Sequence, residues 1–115
     1  MFQRLLPVIP VADVEAEVAF YLALGFTAEP THSGFTALRH GRVLFGVQSS
    51  DEQIPPADLR WQIEVDDIQA VHQLASRPGL EVRHEPSVHP AGFWTLQLRT
   101  PNGYALTLEG PECAG

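Results

Sequence analysis

Apolar and polar residues alternate most clearly in the second half of the chain. Trp61, Ile63 and Val65 are interleaved with Arg60, Gln62 and Glu64. Successive side chains of a strand point to opposite faces, so this spacing predicts a half-buried strand. Asp66 or Asp67 then caps a helix whose apolar stripe is Ile68, Val71, Leu74 and Ala75, and Pro78-Gly79 stops it. Leu80 to Arg83 reads as a strand, and His84 to Gly92, with its two prolines, as a loop. Trp94, Leu96 and Leu98 alternate with Thr95, Gln97 and Arg99. Pro101-Asn102-Gly103 turns the chain, and Tyr104 to Glu109 returns as a further strand.

The first half gives a weaker version of the same order. Arg4 to Val11 predicts a short strand, placed at a sheet edge because Pro7 and Pro10 cannot donate to a ladder. Asp13 is a good N-cap, and Val14, Val18, Tyr21 and Leu22 form one helical stripe that Gly25 ends. Phe26 to Glu29 allows a strand. Phe35 to Arg39 and Val43 to Gln48 predict a hairpin about His40-Gly41. Ser49 to Asp58 is polar, carries two prolines and reads as a linker.

The two halves superpose in sequence. Val11-Ala12-Asp13 maps on Val65-Asp66-Asp67, and Gly25 maps on Gly79 at the same shift. His40-Gly41 maps on Asn102-Gly103 at a larger shift, the extra residues falling mostly between His84 and Gly92. Each half is then β-α-β-β-β. Neither could bury both its helix and its sheet alone, so the expectation is one α+β domain over residues 1–115, with module one at about 1–48, a linker at 49–58 and module two at about 59–110.

Composition narrows the functions. A chain of 115 residues has room for one domain. With 7 basic against 14 acidic residues the formal net charge is -7, which opposes a nucleic-acid surface and is compatible with a cationic ligand. The single cysteine, Cys113, excludes an intramolecular disulfide and reads as a tail residue. The apolar runs are too short to span a bilayer, and the prolines of MFQRLLPVIPVAD interrupt what a signal peptide would need, so a cytoplasmic location without membrane contact is expected.

The opening LLPVIPVADVEAEVAFYLALGF, the segment IEVDDIQAVHQL and the closing FWTLQLRTPNGYALTLE resemble the vicinal oxygen chelate superfamily, which includes glyoxalase I, extradiol dioxygenases and bleomycin-resistance proteins. The resemblance covers nearly the whole chain. It implies two βαβββ modules whose mixed sheets curl around a pocket, and a homodimer. It does not settle function, since both enzymes and simple binders use that fold. Metal-dependent members place His, Glu or Gln at four inward strand positions. Aligned on the Val-x-Asp anchors and the glycine turns, those positions carry Leu6, Arg60, Phe45 and Thr107. Leu and Phe cannot ligate, Arg has no lone pair to give, and Thr alone is a poor ligand. The resemblance therefore points to the metal-independent, bleomycin-resistance-like members, with no cofactor. The histidines (His32, His40, His72, His84 and His89) read as loop, turn and helix residues, and no nucleophile constellation is recognisable.

If the sheets curl around a pocket, the polar strand face lines it: Arg60, Gln62, Glu64, Thr95, Gln97, Arg99, Thr107 and Glu109. From module one Leu6, Val8, Phe35, Val43, Phe45 and Val47 would add an apolar wall. A few polar groups against an apolar wall make a small-molecule site, although the solvated side of any sheet is polar too. Glu64 and Glu109 could hold a cation or pair with Arg60 and Arg99. Phe35 and Phe45 could stack on a planar ligand or fill space. Of Phe93 and Trp94, one would pack in the core and the other edge the pocket. The candidate ligand-binding residues are thus Phe35, Phe45, Arg60, Gln62, Glu64, Trp94, Gln97, Arg99, Thr107 and Glu109, with no metal ligand and no catalytic residue assigned. The expected activity is sequestration of a planar or cationic small molecule. An enzyme of the same superfamily with an altered site, using Glu64 or Glu109 as a base, is the alternative.

Overall fold

A computed structural model describes residues 1–112; Cys113 lies outside the described residues. The chain divides into two compact units, Met1–Ile54 and Pro55–Gly115. Each carries one four-stranded mixed sheet and one helix, the glyoxalase/bleomycin-resistance fold, and neither sheet closes into a barrel.

In the first unit β1 (Val8–Val11) runs parallel to β4 (Val43–Ser49), which is antiparallel to β3 (Phe35–His40), with β2 (Thr27–Ala28) at the far edge. β1 is an edge strand, in keeping with Pro10 inside it, and Pro7 lies just before its start. Helix α1 (Val14–Ala23) starts at Asp13, whose Oδ1 accepts from the Ala16 amide at 3.1 Å. It covers one face of the sheet through Tyr21, which meets Phe45 and Phe26 edge-on at 4.9 and 5.5 Å. The buried side of α1 differs from the predicted stripe. Glu17, Phe20, Tyr21 and Leu24 are buried, whereas Val14 and Val18 are half-buried and Leu22 is exposed. The helix is apolar nearly all round, so hydrophobic spacing alone does not choose its inner face.

The second unit repeats the order: β5 (Trp61–Glu64) parallel to β8 (Ala105–Gly110), then β7 (Trp94–Arg99) and β6 (Glu81–Val88). A short 3-10 turn at Pro56–Asp58 precedes β5. Helix α2 (Ile68–Ala75) is capped by Asp67, not Asp66, through an Oδ1 bond to the Ala70 amide at 3.1 Å. Ile68 and Ala75 are buried on it, opposite Ile63, Leu96, Leu98, Leu106 and Leu108 in the core. The predicted loop from His84 corresponds in part to strand: β6 continues to Val88, tolerating Pro86 because it is an edge strand with register shifts on both sides of His84.

No helix among the described residues is long and apolar enough to cross a membrane.

Candidate functional site

The strand registers sort the candidate residues by face. In the second sheet Gln62 stands opposite Thr107, which stands opposite Gln97, which stands opposite His84. The next row on the same face is Glu64, Glu109, Thr95 and Ser87, and on the other side lie Ala105, Arg99 and Glu81. This is the polar face read from the sequence, and it points away from the core leucines.

Three polar contacts organise that face. Arg60 Nε donates to Gln62 Oε1 at 2.8 Å, Gln97 Nε2 donates to Thr107 Oγ1 at 3.0 Å, and Arg99 Nε meets Glu81 Oε2 at 2.7 Å. Arg99 is therefore engaged by Glu81 rather than by Glu64 or Glu109, and among the described residues neither of those two carboxylates has a side-chain partner. An open concavity of about 420 Å³ covers the middle of the face. Arg60, Gln62, Arg83, Gln97 and Thr107 give it polar walls, and Leu59, Trp61 and Ala105 give it apolar ones. Arg83 lies outside the expected set, although by spacing Glu81 and Arg83 alternate with Leu80 and Val82 and so share the polar face.

Two aromatic candidates lie elsewhere. Trp94 shares its face with Leu96 and Leu98, and it is Gln97 on the opposite face that lines the concavity. Phe93, its neighbour, stacks on His89 with ring centres 4.3 Å apart. Phe45 is fully buried against Tyr21 on the helix side of the first sheet. Phe35 is on the other side, with its ring over Gly46.

The placement of Phe45 corrects the alignment of the modules. In the first sheet Val8 stands opposite Gly46, as Gln62 stands opposite Thr107 in the second. Gly46, not Phe45, is therefore the counterpart of Thr107, and Val43 and Val47 share the helix side with Phe45. The slip arises at the hairpins. His40 pairs directly with Val43 across Gly41-Arg42, whereas the second hairpin closes at Arg99 and Ala105 around a longer loop. At the positions where the resemblance implies metal ligands, the first unit therefore holds Leu6 and Gly46 and the second Arg60 and Thr107, and of these side chains only the threonine hydroxyl is a donor, a weak one.

Comparison with known proteins places the architecture. No protein-family model and no curated protein matches the sequence. Among solved structures, the chain has the fold of the vicinal oxygen chelate superfamily. It is similar to a bleomycin-binding protein from Streptomyces verticillus, solved with copper(II)-bleomycin, at 24% identity over 97% of this chain and 98% of the other, with a TM-score of 0.77. A glyoxalase/bleomycin resistance protein/dioxygenase from Alicyclobacillus acidocaldarius gives 18% identity over 95% and 91%, with a TM-score of 0.78. The bleomycin resistance determinant of transposon Tn5 gives 21% over 96% and 99%, with a TM-score of 0.74. Identities this low establish the fold, not a shared ligand.

Proposed function

We propose that the chain is a small-molecule binding protein of the bleomycin-resistance kind, which holds a planar ligand in the concavity of the second sheet and does so without a metal. The observation that carries this reading is the convergence of Arg60, Gln62, Arg83, Gln97 and Thr107 on one concavity beside Leu59 and Trp61. Directional polar groups against an apolar wall are what a specific small-molecule site needs. The residue types at the four superfamily ligand positions support metal independence, and the likeness to bleomycin-binding structures supports a sequestering role. The homodimer implied by the resemblance belongs to the same reading, and sedimentation velocity tests it.

A thermal-shift panel of flat aromatic compounds, bleomycin among them, tests the proposal. Binding raises the melting temperature through mass action, by an amount that grows with ligand concentration. If no compound raised it, and none changed Trp61 fluorescence, sequestration would lose its support. A second reading has one observation behind it. Glu64 and Glu109 are directly opposed on the parallel pair β5–β8, and two carboxylates side by side are raw material for a general base. Turnover of a candidate substrate that vanished in Glu64→Gln or Glu109→Gln, with the fold intact, would move that reading to the front.

A further inference from the structure

We infer that the concavity of the second sheet receives an oxyanion, a carboxylate or a phosphate monoester, carried on a flat apolar body. The inference rests on the reading that this concavity is the binding site, and it names the chemistry of what binds there.

Charge gives the first argument. The chain is strongly acidic, at -7, and all 7 of its basic residues are arginine. Two of them, Arg60 and Arg83, line this one concavity, against a single acid, Asp58. The local sign is thus opposite to that of the whole chain. Glu64 and Glu109, the groups a cation would seek, lie in the neighbouring row and do not line it. The cationic ligand allowed by the overall composition is therefore disfavoured at this site.

Hydrogen-bonding capacity gives the second. Arginine only donates, so the contact between Arg60 Nε and Gln62 Oε1 engages the amide oxygen of Gln62 and leaves its NH2 group available to donate. Thr107 Oγ1 accepts from Gln97 Nε2, which leaves the Thr107 hydroxyl proton to be donated. The guanidinium of Arg83 has no partner among the described residues. The Gln97 amide oxygen and the Asp58 carboxylate are the acceptors of the lining; against them stand the guanidinium groups of Arg60 and Arg83, the Gln62 NH2 and the Thr107 hydroxyl, so donors predominate. An ionised oxyanion is an acceptor only, and a guanidinium fork matches its geometry with two parallel bonds. The apolar side, Leu59 and Ala105, is suited to an organic body rather than to a bare inorganic ion.

The test uses the full chain and four probes that share one ring: 2-naphthoate, 2-naphthyl phosphate, 2-naphthylmethanol and 2-naphthylmethylammonium. Backbone amide resonances of Arg83, Gln97 and Thr107 are followed in two-dimensional NMR titrations. At least one oxyanion probe is expected to shift these amides and to bind on the order of tenfold or more tighter than the neutral and cationic probes, since charge-assisted bonds are roughly twice as strong as neutral ones. Arg83→Gln and Arg60→Gln, each checked for a native spectrum, are expected to weaken that probe by about tenfold and to leave the neutral one unchanged. Whether carboxylate or phosphate binds better identifies the group, and either result supports the inference. If the neutral or cationic probe moved the same amides with equal or greater affinity, the site would stand and the oxyanion inference would fall. If an oxyanion bound but neither Arg variant weakened it, the inference would fall as well. If no probe moved these amides, the small-molecule site itself would be lost, and the inference with it.

Discussion

The ring of Phe35 occupies the place where a side chain on Gly46 would begin: a Cβ built on Gly46 would stand 2.4 Å from Cε2 and 2.5 Å from Cζ of that ring. Both residues lie on the face of the first sheet turned away from Tyr21, and the glycine is what lets the ring come this close to the backbone of β4. Gly46→Ala should therefore destabilise the protein by about 1–3 kcal/mol, the range for forcing an extra carbon into a filled space. In a Phe35→Ala background the same substitution should be neutral or mildly stabilising, because alanine is the better strand residue once the space is empty. Urea denaturation of the two single variants and the double variant measures the coupling. Independent, additive effects would show that the ring and the glycine do not depend on each other.

A second glycine is constrained by backbone rather than by a ring. A Cβ on Gly110, at the end of β8, would come within 2.0 Å of the Val65 carbonyl oxygen. A ring can swing aside, but a backbone carbonyl cannot do so without moving its strand. Gly110→Ala should thus cost more than Gly46→Ala, about 3 kcal/mol or above. Parallel denaturation curves of the two variants check the order, and the reverse order would contradict the rigid approach of Val65 to Gly110.

Both helices begin the same way. Asp13 and Asp67 each accept from the amide three residues on, at 3.1 Å in both cases. Replacing either by alanine should cost about 1 kcal/mol, and replacement by asparagine much less, because the amide oxygen still accepts. Asp66→Ala should leave the start of α2 intact, since Asp67 and not Asp66 makes the capping contact. Melting temperatures of these variants test the assignment, which the sequence alone left open between two adjacent aspartates.

Much of this fold is legible in the chain, for identifiable reasons. The second unit has clean alternation, so Gln62, Gln97 and Thr107 could be put on one face from period alone, and the registers agree. The first unit is apolar on both sides of its sheet and around most of α1. There the pattern carries no face information, and Phe45 was placed on the wrong side by one position. That slip came from equating hairpins of different loop length, a difference that glycine positions do not encode. Arg83 was legible by the same rule, since Glu81 and Arg83 alternate with Leu80 and Val82; it falls outside the expected set because the strand Leu80–Arg83 is not assigned a face there. Phe93 and Trp94, at a strand entrance after Gly92, leave open which of them edges the pocket, and the register puts Trp94 on the face of Leu96 and Leu98.

The last prediction concerns metal. Where the sequence resemblance implies metal ligands, the first unit holds Leu6 and Gly46 and the second Arg60 and Thr107, and of these only the threonine hydroxyl could contribute a weak oxygen donor. A divalent ion of the first transition row needs several imidazole or carboxylate groups converging from fixed elements. Among the described residues no three His, Cys, Asp or Glu side chains come together in a way that could hold an ion. His72 is engaged by Glu85 at 2.7 Å, His89 stacks on Phe93, and His84 sits in β6 opposite Gln97. Tag-free protein incubated with zinc, manganese, nickel or iron(II) and then passed through a desalting column should retain no stoichiometric metal by elemental analysis. Chelator treatment should leave its melting temperature unchanged, because a fold that holds no structural ion has no folding free energy tied to one. One ion retained per chain or per dimer would mean that donors converge in solution from positions these strands hold apart. The opposed carboxylates of Glu64 and Glu109 would then be the first ligands to replace, and the enzyme reading would take precedence over sequestration.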